Sequence, residues 1–232
     1  DESFRAGRAR DVAVQFARGE QLVFLDSDIL LPPDFTREVS RLASQYDVIQ
    51  LTRQMVKRKP LSELSYAGIG SADLYRESSY WEDFKRTNEW SDLRCFWKYT
   101  CTYCLVMSRE NYERAGGFKH SFNTYGFEDV DVGYRMAQLG RKFHLSRMPA
   151  YHLFPIPTDH STHFDPKRRQ RALATSCRRF YFMNLDPDIY RDLYTVLNPP
   201  TAPIFQSLRW MGRVGRRVIS SLRWRLWPQT VS

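Results

Sequence analysis

Apolar positions recur along the first fifty residues at two spacings, and the alternation between them sets the architecture. Between residues 5 and 18, Ala6, Ala9, Ala13, Phe16 and Ala17 share one helical face, and Gly19 ends the run. Gln21 to Leu25 is short and largely apolar, the pattern of a strand buried in a parallel sheet. After Pro32 and Pro33, Phe35, Val39 and Leu42 mark the inward face of a helix ending near Gln45. Asp47 to Leu51 is the next strand, and helix, strand, helix, strand is an α/β order. A crossover helix joins two parallel strands, yet the helix at 5–18 has none before it. The expectation is an α/β mixed sheet flanked by helices, lacking at least one βα unit ahead of Asp1.

Further on, residues 52–90 are polar and aromatic without a clean period and read as an insertion or long loops, with a turn at Gly68-Ile69-Gly70. Phe96 to Met107, aromatic and β-branched, reads as a return to the sheet. Arg109 to Ala115 reads as a short helix closed by the Gly116-Gly117-Phe118 turn. An acidic helix then runs to Leu139, with Gly140 just past its end. Lys142 to Leu145 is a short strand. Tyr151-His152-Leu153, between Pro149 and the prolines at 155 and 157, reads as an edge or loop segment. A helix is expected from Pro166 to Tyr181. The expected organisation is a main domain over 1–165, a helical extension over 166–203 and a tail over 204–232.

Composition narrows the class. A hydrophobic content of 42% with 15% aromatics is that of a packed globular chain. No apolar run approaches the roughly 20 residues needed to span a bilayer. The chain begins at Asp1 and not at Met, as a fragment or processed chain would. Four cysteines are too few for a disulfide scaffold, and only Cys101 and Cys104 have zinc spacing. Reduced, mostly buried thiols of a cytoplasmic protein are the expectation.

The net charge of +9 is unevenly spread. Arg53, Lys57, Arg58 and Lys59 form one cluster and Lys167, Arg168, Arg169 and Arg171 another. Residues 204–232 hold six arginines and no acid, with Phe205, Leu208, Met211, Val214, Val218, Leu222 and Leu226 recurring at helical spacing. With Trp210, Trp224 and Trp227 among them, this tail suits the plane of an anionic membrane surface, or else packing on the protein's own core or on a partner subunit. Basic patches suit phosphates in general. No nucleic-acid motif is visible, so no specific nucleic-acid partner is expected.

Two acidic sites are candidates for chemistry. Asp26-Ser27-Asp28 directly follows the strand at 21–25, where open α/β sheets bind their ligands. Two carboxylates one residue apart can hold a hard divalent cation that bridges phosphate oxygens. Glu128 and Asp129, with Asp131, stand at a helix start, where first-turn N–H groups favour negative charge. An ordinary solvated first turn has the same appearance. A phosphatase of the haloacid-dehalogenase type also places Asp-x-Asp after a strand. It usually continues with Thr or Val, where this chain has Ile29 and Leu30.

The order of the signals is more specific than any one of them. Arg5-Ala-Gly-Arg-Ala-Arg10, Phe24-Leu-Asp-Ser-Asp28, Gly116-Gly-Phe118, Tyr125-Gly-Phe-Glu-Asp129, Tyr134-Arg135, Gly140 and Tyr151-His152 follow in sequence. Over roughly residues 5–155 the series resembles the GT-A-fold glycosyltransferases, nearest the branch with the beta-1,4-galactosyltransferases and chondroitin-polymerase-type enzymes. The resemblance implies a Rossmann-like GT-A sheet and a metal-dependent, inverting transfer of a sugar from a nucleotide-sugar, UDP-linked, to a hydroxyl of a glycan or lipid-linked acceptor. It further implies that Asp28 and His152 bind Mn²⁺ or Mg²⁺, and that Asp26, Asp28 and Arg8 attend the donor. Asp129 would be the general base, and Glu128 would orient sugar hydroxyls. That family often carries Trp where Tyr125 or Phe127 stands here, and His160 or His163 could replace His152 as ligand. The rival readings are a non-catalytic glycan- or anion-binding fragment and the Asp-x-Asp phosphatase.

Overall fold

The computed structural model describes residues 5–57, 62, 64–75, 90, 93, 95–153 and 166–184. In chain order the elements are α1 (Ala6–Phe16), β1 (Gln21–Leu25), β2 (Ile29–Leu30), α2 (Phe35–Ala43) and β3 (Val48–Val56). They continue with β4 (Cys104–Ser108), α3 (Arg109–Ala115), α4 (Glu128–Gln138), β5 (Phe143–Leu153) and α5 (Pro166–Asn184). The strands form one sheet in the order β1-β4-β3-β5-β2. It is mixed: β3 and β5 run parallel, whereas β1–β4, β3–β4 and β2–β5 are antiparallel. The class is the expected α/β one, a mixed sheet with flanking helices.

Because successive strand residues point to opposite faces, β3 and β4 feed two cores. Val48, Leu105 and Met107 pack with Val14, Phe118, Val132 and Met136 beneath α1, α3 and α4. Ile49, Leu51, Cys104 and Val106 pack on Phe35, Val39 and Leu42 of α2, the inward face read from its spacing. A third cluster fixes α5: Phe180, fully buried, meets Trp97, Phe122, Phe127 and Tyr134. Each such aromatic contributes on the order of 2 kcal/mol by leaving water.

Several expectations need correction. β1 is an edge strand among the described residues, paired antiparallel with β4 alone, and its Val23 and Leu25 remain 41% and 43% exposed. A short apolar run does not distinguish a half-covered strand from a buried one. Helix α1 is turned the other way from its alanine face: Gly7 and Val14 are buried, whereas Ala9, Ala13, Phe16 and Ala17 are exposed. Polar partners for Arg10 and Asp11 decide that rotation, as described below. Residues 52–56 extend β3 beyond the expected end, and Phe96 to Tyr99 form a 3₁₀ turn ahead of β4.

Residues 143–153 form one continuous strand with a partner on each side, not a short strand and a separate edge segment. Its proline is accommodated at an irregularity: Leu51 faces Ser146 and the next residue, Thr52, faces Pro149. Of the cysteines only Cys104 is buried, and Cys95, Cys101 and Cys177 are part-exposed. Among the described residues no helix is long and apolar enough to cross a membrane. The tail at 204–232, residues 185–203 of the extension, and His160 and His163 lie outside the described residues.

Candidate active site

The site starts from the placement of α1. A Cβ at Gly7 would stand 3.0 Å from the Cβ of Phe118, so glycine there lets the helix lie against the Gly-Gly-Phe turn. Asp11 fastens it: its carboxylate accepts from the Phe118 amide at 3.0 Å and from the Tyr112 hydroxyl, and meets His120 Nε2 at 2.6 Å. Arg10 then points inward with 19% of its side chain exposed. Its Nη2 donates to Asp26 Oδ1 at 3.1 Å and its Nη1 to Glu128 Oε1 at 3.3 Å. One planar guanidinium thus joins the two acidic motifs, a geometry its forked donors suit.

The second junction lies across β2 and β5. Ile29 pairs with His152, and the Leu153 amide donates to the Asp28 carbonyl at 2.8 Å. That register brings His152 Nε2 to 3.0 Å from Asp28 Oδ2, with the imidazole 17% and the carboxylate 34% exposed. His152 Nδ1 is buried without a hydrogen-bond partner among the described residues. A carboxylate oxygen beside an imidazole nitrogen is a donor set that Mn²⁺ accepts. Two ligand atoms at right angles about a cation, with bonds of about 2.1 Å, stand about 3 Å apart, so the observed spacing fits. Among the described residues no group of three or more His, Cys, Asp or Glu side chains gathers to hold a metal. A cation here therefore needs further oxygens from water or a bound phosphate.

The acid pair is set by backbone geometry. Gly126 (φ 85°) and Phe127 (φ 75°) are both left-handed, and they turn the chain into α4. Glu128 is 5% exposed. Burial, and then the neighbouring Asp129 charge, push its carboxyl up to about 7, while Arg10 pulls it back. Burial also raises Asp129, against the opposing effects of Arg10 and of the Val130 and Thr102 amides. The Val130 amide donates to Asp129 Oδ1 at 2.8 Å. Glu128 Oε2 is buried and has no partner among the described residues, an acceptor open to a hydroxyl donor.

Helix α4 itself is wedged. A Cβ on Gly133 would fall 2.1 Å from Thr100 Oγ1 and 2.9 Å from the Trp97 carbonyl, so only glycine fits. Asp131, fully buried, takes Arg135 at 2.7 Å and Lys119 at 3.4 Å. Arg135 in turn donates to the Gly117 carbonyl at 2.7 Å and to that of Ala115. The Gly-Gly turn and the acidic helix are therefore tied together.

Of the residues singled out from sequence, Asp26 and Glu128 meet through Arg10, Asp129 adjoins Glu128, and Asp28 meets His152. Arg8 is exposed on α1. It stands two residues, about 200° of helix turn, from Arg10, which is the arginine that reaches the site. Sequence reasoning missed Arg10, Asp11 and Gly133. The polar pair Arg10-Asp11 interrupting an alanine-rich helix was the available signal for the first two.

Residues 82–161 match a family model described as the N-terminal domain of galactosyltransferase, about a third of the chain. No curated protein matches the chain. One similar solved structure is GalNAc-T7 with UDP, GalNAc and Mn²⁺, at 13% identity and TM-score 0.43, covering 64% of this chain and 30% of that one. Another is the mannosyltransferase PcManGT from Pyrobaculum calidifontis in complex with GDP-Man and Mn²⁺, at 18% identity and TM-score 0.44, covering 90% and 59%. The chain thus spans less than two thirds of the length of either. The family match covers the segment that carries the Gly-Gly-Phe turn, the Glu128-Asp129 pair and His152, in keeping with the GT-A glycosyltransferase resemblance of the motifs.

Proposed function

We propose that this protein is a metal-dependent, inverting glycosyltransferase that moves a sugar from a UDP-linked donor to a hydroxyl of a glycan or lipid-linked acceptor. The observation that carries this reading is the convergence of two acidic motifs on Arg10, beside the Asp28–His152 pair. An isolated acidic helix start or a lone Asp-x-Asp turn has no reason to be bridged in this way.

Asp28 and His152 would hold the cation. When bound, it neutralises charge on the diphosphate leaving group. Asp26, kept in place by Arg10, lies two residues before Asp28 in the chain and is suited to donor hydroxyls. Asp129 takes the proton from the acceptor hydroxyl as the new bond forms; its raised proton affinity suits a base working near neutral pH. Glu128 accepts a sugar hydroxyl on its unpartnered Oε2 and orients it. Arg10 favours the charged form of Glu128 and fixes its carboxylate in place.

The test is binding of UDP to the complete protein by calorimetry with and without Mn²⁺, followed by turnover of a panel of UDP-hexoses. Mn²⁺-dependent UDP binding with nucleotide release is the expected result. Absence of any Mn²⁺-dependent nucleotide binding would contradict the proposal.

A further inference from the structure

Helix α5 carries Lys167, Arg168, Arg169, Arg171, Arg178 and Arg179 and no acid between Pro166 and Asn184. Its inner face is fixed to the segment that leads into the acid pair. Leu173 packs on Gly126, where an added Cβ would come within 2.6 Å of Leu173 Cδ2. Ser176 Oγ lies 2.6 Å from Thr124 Oγ1 and donates to the Tyr125 carbonyl at 3.2 Å. Phe180 anchors the far end in the core.

This docking sets Arg169 on Tyr125. The guanidinium carbon stands 4.7 Å from the ring centroid, and Nη2 donates to the phenol oxygen at 2.5 Å. The Tyr125 hydroxyl in turn senses the charges of Asp129 and Glu128. A fixed cation therefore sits on Tyr125, three residues ahead of the acid pair, and among the described residues Arg169 has no carboxylate partner. A sugar cannot stack on the ring face that the guanidinium covers. Whatever reaches this edge of the site meets the cation, whose remaining forked N–H donors match an oxyanion.

We propose that the acceptor bears an oxyanion, a carboxylate or a phosphate, near the hydroxyl it offers, and that Arg169 seated on Tyr125 binds it. The inference rests on the transferase reading of the neighbouring acids and specifies the acceptor class for that site.

Three probes test it by calorimetry on the complete protein: a disaccharide ending in glucose, the same ending in glucuronic acid, and the first with a 6-phosphate. One charged probe should bind about tenfold tighter than the neutral one, the scale of a single charge-assisted contact. Which charged probe wins identifies the oxyanion. Arg169→Gln should erase the preference, Arg169→Lys should keep part of it, and Arg171→Gln on the same helix should keep all of it. Equal binding of all three probes, a preference that survives Arg169→Gln, or an equal loss in Arg171→Gln would overturn the inference. Mn²⁺-dependent UDP binding, measured in parallel, separates the two readings. With UDP bound and no anion preference, this inference alone fails. With no UDP bound, the transferase reading fails, and an Arg169-dependent preference still supports an oxyanion site.

Discussion

Asp28 Oδ2 and His152 Nε2 lie 3.0 Å apart although 124 residues separate them in the chain. The pairing of Ile29 with His152 across β2 and β5 is what joins them, so the junction depends on backbone register and not on a local motif. His152→Ala and Asp28→Asn should each weaken Mn²⁺-dependent UDP binding by about tenfold or more, as loss of one ligand does, without unfolding the protein. Calorimetric titration at fixed Mn²⁺ measures it. Unchanged affinity in both variants would remove the pair from the metal site.

Glu128 gives a pH-dependent stability of defined sign. Its carboxyl rises from 4.5 to about 7 on folding, so between these values the folded state holds the proton more tightly than the unfolded chain. Stability is therefore lost as pH rises through that window, by up to about 3 kcal/mol from this group. Glu128→Gln should be more stable than the parent at pH 8, and the difference should shrink toward pH 5. Urea unfolding at the two pH values checks it.

Arg10 opposes the rise in the Glu128 proton affinity. Arg10→Met should move the acidic limb of the kcat/KM profile upward. Arg10→Lys should restore much of the limb's position but not the full rate, because a point charge cannot bridge Asp26 and Glu128 as the fork does. An unchanged profile in Arg10→Met would show that Glu128 is not in kinetic contact with Arg10.

Gly133→Ala should cost about 2–4 kcal/mol, since its Cβ overlaps Thr100 and the Trp97 backbone. Pairing it with Thr100→Gly, which removes the nearest obstacle, should recover part of that loss. Thermal melts of the single and double variants decide.

The class of fold was legible because helical and strand periodicities alternate cleanly up to Leu51, and because Phe35, Val39 and Leu42 bury the face their spacing indicates. The orientation of α1 was not. Its alanine face is a pattern of small residues with little to gain by burial, whereas Asp11 finds three partners and Arg10 two when the helix turns the other way. Unmade bonds to those groups would cost more than exposed alanines. The long β5 was hidden by Pro149, which the sheet tolerates only through a register shift that no local signal announces. The two acidic motifs and His152 were readable as an ordered series. Arg10, the residue that joins two of them, was present in that series, and only the adjacent Asp11 set it apart from Arg8 before the helix was placed.

The central claim is that the Glu128-Asp129 pair performs transfer chemistry at a site where Asp28 and His152 retain the donor. The most direct measurement is steady-state turnover of the preferred UDP-sugar by Asp129→Asn and Glu128→Gln, with UDP affinity measured alongside. The account predicts that Asp129→Asn falls by roughly 10²-fold or more with UDP binding intact, the size of a lost general base. Full activity in both variants would contradict it.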